Sequence, residues 1–520
     1  MSRRPFPVVL LVLGALVSGV TALKGIQPND EGLMLQAAAR IADGQVPYRD
    51  FWWFYPPGQP YLLGGLHELF GPSLLPWRVL RVLADGTVAA LVFALARRGG
   101  AGGRVALAAW AAAILAMAYP SGPHPFPLAL AFALGALLAF ETRPALAGAL
   151  VGACAAWRIE FAVFAAAGIL LARPAGAARF AGAGALAAAL LYAPVVALAG
   201  VGPTWDLLVD YPLTDFRDYQ TVPFPLGYDG PLNTSSPWGF LRDSAEPLLL
   251  HFLPLALVIG LVASMGALLH RARTGHGFPP RVLAASVFAL GMLAYLLVRA
   301  DLFHTAPLAV MIAVLAAWAL SEPPRPTTAP GDVPAARRPR RRGLALVPVA
   351  LAGLALAYAV VEGLDRRWLA LREDTVALKL PAADGVRVPA RQARELERVV
   401  AAIHRAVPAG EPIYVATRRG DLVTSGHPLL YVLTQRRNPT PYDIPAPGVV
   451  TSAPVQREIV ADLERTRTPF VVRFTDPITA AREPNAAGRS SGVSILDREL
   501  ARRYRRTGRI GSFLLLERRP

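Results

Sequence analysis

Apolar runs close to 20 residues long recur along the first two-thirds of the chain, and polar segments separate them. A run of about 20 predominantly apolar residues spans a lipid bilayer as an α-helix. We therefore predict a polytopic α-helical membrane protein with apolar spans near 7–23, 78–96, 105–119, 125–140, 145–172, 180–199, 247–269, 282–298, 303–320 and 344–361.

The run 145–172 is the longest, and it carries Arg158 and Glu160 near its middle. As a single helix it would place both charges near the bilayer centre, at about 2.5–3.5 kcal/mol each on insertion scales. Two shorter helices that meet near Arg158 at a membrane face avoid that cost. The split raises the predicted number of spans to about eleven.

The pattern changes after residue 361. Apolar positions at helical spacing predict helices in ARELERVVAAIHRAV, QREIVADLERTR and SILDRELARRY. Short apolar runs predict strands in EPIYVAT, PFVVRFT and IGSFLLLE. Alternating helices and strands indicate a small α/β domain at 362–520, following a membrane domain at 1–361.

Composition and charge agree with a membrane protein. Hydrophobic residues make up 54% of the sequence and charged residues 17%, against about 25% charged in soluble domains. The net charge of +17 does not indicate a nucleic-acid partner, because arginines are spread through loops and the tail, most densely at 337–342 between two spans. Basic loops face the cytoplasm and contact anionic lipids.

The same charges orient the chain. With a cytoplasmic N-terminus and the split at Arg158, inner loops hold most of the loop arginines and few acids. We predict a multi-pass protein of a cell membrane, such as the bacterial inner membrane, with a basic cytoplasmic loop at 321–343. Loops 25–77 and 200–246 and the C-terminal domain then lie on the outer side.

The first outer loop begins with an acidic pair, Asp30-Glu31, directly after a span. One interpretation is a solvated pair that starts a helix at Gly32, with Asn29 or Asp30 as N-cap. The other is a carboxylate that removes a proton from an acceptor hydroxyl, or that holds a divalent metal such as Mg²⁺ or Mn²⁺ with Glu31. Asp50 is a second candidate carboxylate, unless it pairs with Arg49.

Basic residues at the predicted outer ends of spans are candidates for binding a phosphate, because guanidinium groups donate paired hydrogen bonds to oxyanions. The alternative is an interfacial side chain that reaches towards lipid headgroups. The candidates are Arg78, Arg81, Arg158, Arg299 and His304, with Glu160, Asp301 and Tyr55 as supporting residues. The aromatic block 51–55 is also typical of a membrane interface.

The series Asp30-Glu31, Pro47-Tyr48, Asp50-Phe51, Tyr55-Pro56-Pro57-Gly58, Phe70-Gly71 and Arg78 resembles the first outer loop of the GT-C superfamily of glycosyltransferases. That group includes protein O-mannosyltransferases and lipid A aminoarabinose transferases, and the resemblance covers about residues 1–320. Better-known members carry Glu-Lys-Pro-Pro where this chain has Phe54-Tyr55-Pro56-Pro57, so their second acid and lysine have no counterpart here.

The resemblance implies a hexosyl- or pentosyltransferase that moves a sugar from a polyprenyl-phosphate carrier to a hydroxyl of a glycan, lipid or protein at the outer face. Asp30 is then the base, Glu31 assists it or orients a metal, and outer arginines hold the phosphate. We expect inversion at the anomeric carbon, because no second carboxylate is clearly placed as a nucleophile. The alternatives are a transporter or flippase and a non-catalytic scaffold that presents the C-terminal domain.

Overall fold

The computed structural model describes residues 6–117, 124–273, 278–321 and 343–520. The basic loop predicted at 321–343, including Arg337–Arg342, therefore lies almost entirely outside the described residues. In chain order, the helices up to residue 372 are α1 (Phe6–Gly19), α2 (Asp30–Ala42), α3 (Gly58–Phe70), α4 (Leu74–Arg98), α5 (Gly103–Ala116), α6 (Phe126–Ala139), α7 (Pro144–Ala155), α8 (Ile159–Ala172), α9 (Ala177–Ala199), α10 (Val201–Trp205), α11 (Tyr211–Leu213), α12 (Arg217–Gln220), α13 (Pro237–Asp243), α14 (Ala245–Arg271), α15 (Pro280–Val298), α16 (Leu302–Ala319) and α17 (Gly343–Arg372), with a π-helical turn at Asp206–Asp210.

Eleven of these helices are apolar, namely α1, α4 to α9 and α14 to α17, and they match the predicted spans. In the part of the chain that the structure describes, six are long and apolar enough to cross a membrane, and the other five have 12–14 residues. The chain is thus a polytopic helical membrane protein. The number of spans that cross the bilayer stays a prediction.

The break predicted inside 145–172 is present. Helix α7 ends at Ala155 and α8 begins at Ile159, with Arg158 in an extended conformation between them. Helix α16 lies at the centre of the bundle, where it is buried from His304 to Trp318. The arginine at the α7–α8 break and the start of α16 contribute to one cluster of side chains, described below.

Helix α17 continues to Arg372, well past the predicted end of the membrane domain at 361. The Arg367 guanidinium binds the carbonyl oxygens of Ile114 (3.2 Å) and Met117 (3.2 Å) at the end of α5, so the polar extension is anchored to the bundle. Helix-terminal carbonyls lack intrahelical partners, and a buried guanidinium can satisfy several of them.

The C-terminal domain contains the three predicted helices and the three predicted strands, with one further helix and three further strands. Its strands are β1 (Val376–Ala377), β2 (Arg387–Val388), β3 (Ile413–Ala416), β4 (Phe470–Phe474), β5 (Tyr504–Ile510) and β6 (Phe513–Arg518), and its helices are α18 (Ala390–Ala406), α19 (Leu429–Thr434), α20 (Ala453–Arg465) and α21 (Ile495–Arg503), with 3-10 turns at Pro381–Ala383 and Pro477–Ala480. The larger sheet has the order β3-β4-β6-β5, parallel between β3 and β4 and otherwise antiparallel. The strand β5, in YRRTGRI, was not predicted because its sequence is polar.

The first outer loop and the C-terminal domain share a hydrophobic core. Leu33, Phe51 and Trp53 of the loop belong to the same buried cluster as Leu429 and Phe470 of the domain. Helix α2 packs directly on α19. The predicted division at 361/362 therefore separates two parts of the chain that the structure joins through one apolar core, which no local sequence pattern reveals.

Candidate active site

Asp30 is the first residue of α2, and its carboxylate is held by the residue before it. Asn29 Nδ2 donates to Asp30 Oδ1 at 2.9 Å, while Asn29 Oδ1 accepts from the backbone N–H of Gly426 at 3.0 Å. Asn29 precedes the helix as predicted, but its side chain makes no capping hydrogen bond to α2. The interpretation as a simple N-cap is therefore corrected: the amide bridges Asp30 and the C-terminal domain.

Asp30 is partly buried and lies near other charged groups. Burial raises the pKa of its carboxyl group, and the Asn29 hydrogen bond and the charge of Arg299 partly oppose that rise. Burial likewise raises the pKa of Tyr55 to about 12, and the charges of Asp30 and Arg158 both act on its hydroxyl. Tyr55 therefore lies near both the carboxylate of the first loop and the arginine of the α7–α8 break.

The turn Tyr55-Pro56-Pro57-Gly58 packs against this break. The Gly58 N–H donates to the Ala156 carbonyl at 2.7 Å. A Cβ at Gly58 would lie 2.5 Å from that oxygen and 2.7 Å from the Trp157 ring, so the close approach requires glycine. Gln59 accepts from Trp157 Nε1 at 2.8 Å and fixes the same contact.

Arg158 is mostly buried, with 14% of its side chain exposed. Its Nη2 lies 2.6 Å from Glu160 Oε1, and the guanidinium carbon lies 4.9 Å from the centre of the Tyr295 ring. Its Nε is buried and has no hydrogen-bond partner among the described residues. An unsatisfied buried donor on a cation is unfavourable by itself and is well suited to an anionic ligand.

Arg299, Asp301 and His304 form a connected group at the turn between α15 and α16. Arg299 Nε donates to Asp301 Oδ2 at 2.8 Å, and His304 Nδ1 lies 2.6 Å from Asp301 Oδ1. Burial alone would raise the pKa of Asp301, but the hydrogen bond and charge of His304, with the charge of Arg299, lower it to about 2. The His304 ring lies 4.5 Å from the Tyr295 ring that Arg158 covers, which joins this group to the break.

The C-terminal domain closes the group through Glu483. Arg299 donates to both carboxylate oxygens of Glu483, at 3.0 and 2.7 Å. Burial opposes ionisation of Glu483, yet the Arg299 contact outweighs it and lowers the pKa of that carboxyl group. Asn485 supports the pair by donating to Glu483 Oε2 at 3.0 Å.

The structure gives the remaining predicted residues other partners. Glu31 is fully buried and binds Arg78 through both oxygens, while Arg78 also donates to the Ala22 and Gly25 carbonyl oxygens. Arg81 pairs with Asp85 at 2.9 Å within α4. These pairs give the three charges partners within the protein, and the roles predicted for Glu31, Arg78 and Arg81 stay predictions.

Asp50 lies outside the group and pairs with Arg49 at 2.8 Å, the alternative that the sequence left open. It also accepts from the Val46 N–H at 2.7 Å, which makes it a turn-stabilising residue. The group formed by Asp30, Tyr55, Arg158, Glu160, Arg299, Asp301 and His304 is called the acidic–basic cluster below.

The predicted metal pair does not fit a metal ion in this arrangement. Both Glu31 oxygens accept hydrogen bonds from Arg78, and among the described residues no three His, Cys, Asp or Glu side chains are grouped as metal ligands. The chemical steps proposed for this protein therefore use side chains alone.

Three residues near the cluster were not predicted as site residues: Asn29, His124 and Glu483. The His124 ring stacks on Phe303 with centroids 3.4 Å apart, and burial lowers the pKa of the imidazole well below its usual value. Glu483 lies in an irregular segment of the C-terminal domain with no motif around it. Asn29 adjoins Asp30 in the sequence, whereas only the folded chain brings His124 and Glu483 to the cluster.

The fold of the chain is similar to that of two solved structures of ArnT. ArnT from Cupriavidus metallidurans bound to undecaprenyl phosphate matches with a TM-score of 0.54 and 16% identity, over 99% of this chain and 98% of that chain. The apo state of ArnT matches with a TM-score of 0.53 over the same shares, also at 16% identity. No protein-family model and no curated protein sequence matches the chain. The chain has the GT-C fold that the first-loop motifs predicted.

Proposed function

We propose that this protein is a membrane glycosyltransferase that moves a sugar from a polyprenyl-phosphate carrier to an acceptor hydroxyl, with Asp30 as the base. The observation that carries the proposal is the acidic–basic cluster. It combines a carboxylate of raised pKa, Asp30, with a partly unsatisfied arginine, Arg158, and the charges of both act on Tyr55. The fold shared with ArnT bound to undecaprenyl phosphate supports the same class of donor.

The proposed reaction is a single displacement. Asp30 takes the proton of the acceptor hydroxyl, and the hydroxyl oxygen forms a bond to the anomeric carbon of the sugar. The bond between that carbon and the phosphate oxygen breaks, and its electron pair leaves with the polyprenyl phosphate. One displacement inverts the anomeric configuration, and protonated Asp30 returns its proton to water.

Arg158 and His304 are the proposed partners of the leaving phosphate. Negative charge develops on the phosphate oxygen as the bond breaks, and a preorganised cation in a site of low polarity stabilises it strongly. Arg158 Nε has no hydrogen-bond partner among the described residues. The Arg299 guanidinium, in contrast, donates through Nε to Asp301 and through both Nη atoms to Glu483. Arg299 therefore orders the wall of the site in this conformation, and it reaches a phosphate only if Glu483 is displaced.

The position of the cluster favours a transferase over a transporter or flippase. A transporter is expected to bind its substrate near the bilayer midplane between repeated halves. Here the charged groups come from helix ends and loops: Asp30 starts α2, Arg158 lies in a helix break, and Arg299 and Asp301 lie in a turn. Because these segments contact one another and the C-terminal domain, they share one end of the bundle.

We further propose that this end faces the extracytoplasmic side, with the N-terminus in the cytoplasm. Support comes from the excess of arginine in the loops at the opposite end. A lipid-linked sugar presents its phosphate at headgroup depth, which is the level expected for residues at helix ends. The sugar and the acceptor are not specified by these residues.

A membrane assay with a panel of polyprenyl-phosphate sugars tests the proposal. Wild type is expected to release polyprenyl phosphate with at least one sugar, and Asp30→Asn is expected to lose at least 100-fold in turnover, in the range typical of a general base. Asp50→Asn is the matched control, because it removes a carboxylate of the same loop outside the cluster. Equal turnover by wild type and Asp30→Asn would contradict the assignment of the base.

A further inference from the structure

The amide of Asn29 has its orientation fixed by the C-terminal domain. Its Oδ1 accepts from the Gly426 N–H at 3.0 Å, and a backbone N–H can only donate. The carbonyl side of the amide must therefore face Gly426, which turns the NH₂ group towards Asp30 Oδ1 at 2.9 Å. A rotation of the amide by half a turn would place two donors against each other.

Gly426 is itself held close to the start of α2. The Leu429 N–H donates to the Pro28 carbonyl at 3.1 Å. A Cβ at Gly32 would lie 2.1 Å from the Leu429 nitrogen, so the two backbones are in direct contact there. His427 packs between Phe474 and Phe513, with ring centroids 4.9 and 5.3 Å away, and anchors the segment to the sheet.

The far end of α2 is fixed to the same domain. Arg40 forms a buried ion pair with Asp443, whose Oδ1 also accepts from Asn438 Nδ2 at 2.8 Å. Helix α2 is thus attached to the C-terminal domain at both ends, by Asn29 at the first turn and by Arg40 at the last. The start of α2 is held by the C-terminal domain through Asn29 and by membrane helix α4 through the Glu31–Arg78 pair.

We propose that Asn29 is a positioning residue that orients the Asp30 carboxylate, and that Gly426 of the C-terminal domain sets this orientation. The inference rests on the proposed function, since it concerns the base of that reaction. Among the described residues, Asn29 is the only side chain that hydrogen-bonds to Asp30. With Oδ1 bound by Asn29, Oδ2 is the oxygen directed to the acceptor hydroxyl.

The orientation matters because a base must meet the proton it removes within hydrogen-bonding distance. A carboxylate that rotates freely spends most of its time in unproductive positions, and misplacement by about 1 Å can cost 10²-fold in rate. Asn29 affects the chemical step in this scheme and makes no contact with the substrate. The C-terminal domain is accordingly part of the active site through one amide.

The test compares Asn29→Ala, Asn29→Asp and Asn233→Ala in the full-length protein in membranes. Asn29→Ala is expected to lower kcat about 10- to 100-fold with KM for the lipid donor unchanged. Asn29→Asp keeps the acceptor for Gly426 and loses the donor to Asp30, so it should lose at least as much kcat while the domain stays docked. Asn233→Ala, in the second outer loop, removes an amide that also bridges a backbone N–H and a carboxylate, and it should keep wild-type kcat.

A double substitution separates positioning from a general structural effect. Asn29→Ala combined with Asp30→Asn should be no slower than Asp30→Asn alone, because Asn29 acts through Asp30. A full additional loss in the double variant, or wild-type kcat for Asn29→Ala while Asp30→Asn is inactive, would overturn this inference and leave the proposed function intact. Wild-type turnover by Asp30→Asn would overturn both.

Discussion

Arg78 holds both carboxylate oxygens of Glu31, with Nε 2.8 Å from Oε1 and Nη2 2.9 Å from Oε2, and neither side chain is exposed. The preceding residue, Asp30, has a single side-chain partner among the described residues, the neutral amide of Asn29. Two adjacent acids thus have opposite environments. Glu31 is neutralised inside the protein, whereas Asp30 belongs to the acidic–basic cluster and forms no ion pair among the described residues.

The Glu31–Arg78 pair is expected to stabilise the folded protein. Glu31→Gln leaves the Arg78 charge buried without a counter-charge, and removing one partner of a buried ion pair costs about 3–5 kcal/mol. Thermal unfolding in detergent should show a large loss for Glu31→Gln. The exposed Asp50–Arg49 pair provides the comparison, since Asp50→Asn should change the free energy of unfolding by about 0–1 kcal/mol. Equal losses in the two variants would contradict the structural role.

Asp30 is expected to support activity and to lower the stability of the folded protein, which is the reverse of the role of Glu31. Its folded pKa is raised above 3.8 by burial, so ionised Asp30 weakens the folded state at neutral pH. Any stability that it contributes is present below pH 3.8 and is lost as pH rises through the raised pKa. Asp30→Asn should therefore be inactive and at least as stable as wild type. A lower melting temperature for Asp30→Asn would count against this account.

The pH dependence of turnover follows from the same shift. A base works only when ionised, and acidification protonates Asp30 at a higher pH than an exposed carboxyl group. The acid limb of kcat/KM should therefore have its midpoint above 3.8, and Asp50→Asn should leave that midpoint unchanged. A profile that is flat down to pH 4 would exclude Asp30 as the titrating base.

Arg158 is expected to act on the lipid donor. Arg158→Gln removes a charge-assisted contact worth about 1.5–3 kcal/mol, which corresponds to a fall of about 10- to 100-fold in kcat/KM for the polyprenyl-phosphate sugar. Arg49→Gln removes an exposed arginine of the first outer loop, and it should leave kcat/KM for the lipid donor unchanged. A loss confined to the acceptor KM would indicate that Arg158 binds the acceptor.

Gly58 offers a test of the contact between the first loop and the α7–α8 break. In Gly58→Ala the new Cβ would lie 2.5 Å from the Ala156 oxygen, so α3 must move and carry Tyr55 away from Arg158. We expect at least a tenfold loss of turnover. Gly65→Ala changes the same helix where nothing lies within 4 Å of the new Cβ, and it should be neutral or stabilising by up to about 1 kcal/mol.

The sequence predicted those features that depend on local properties. Apolar length located the helices, and the cost of burying Arg158 and Glu160 predicted the break between α7 and α8. The distribution of charges along the chain also predicted that Asp30, Arg158 and the 299–304 turn lie on the same side of the membrane. These inferences need only the chain's own pattern and the membrane as a constraint.

Contacts between segments far apart in the chain could not be predicted from the sequence. Nothing near Glu31 in the sequence distinguishes it from Asp30, and its partner Arg78 was a candidate for phosphate binding. Glu483 and Gly426 come from irregular segments of the C-terminal domain, and their role depends on how that domain packs on the first loop. The strand in YRRTGRI depends on another non-local contact, because it pairs with β6 at the edge of the sheet.

The bridge between Asn29 and Gly426 spans 397 positions of the sequence. Asp30 emerges early in synthesis, directly after the first hydrophobic helix, whereas the residue that orients its neighbour emerges only after every membrane helix has been made. The contact that orients the Asn29 amide therefore forms only after the last part of the chain has been made and has folded onto α2.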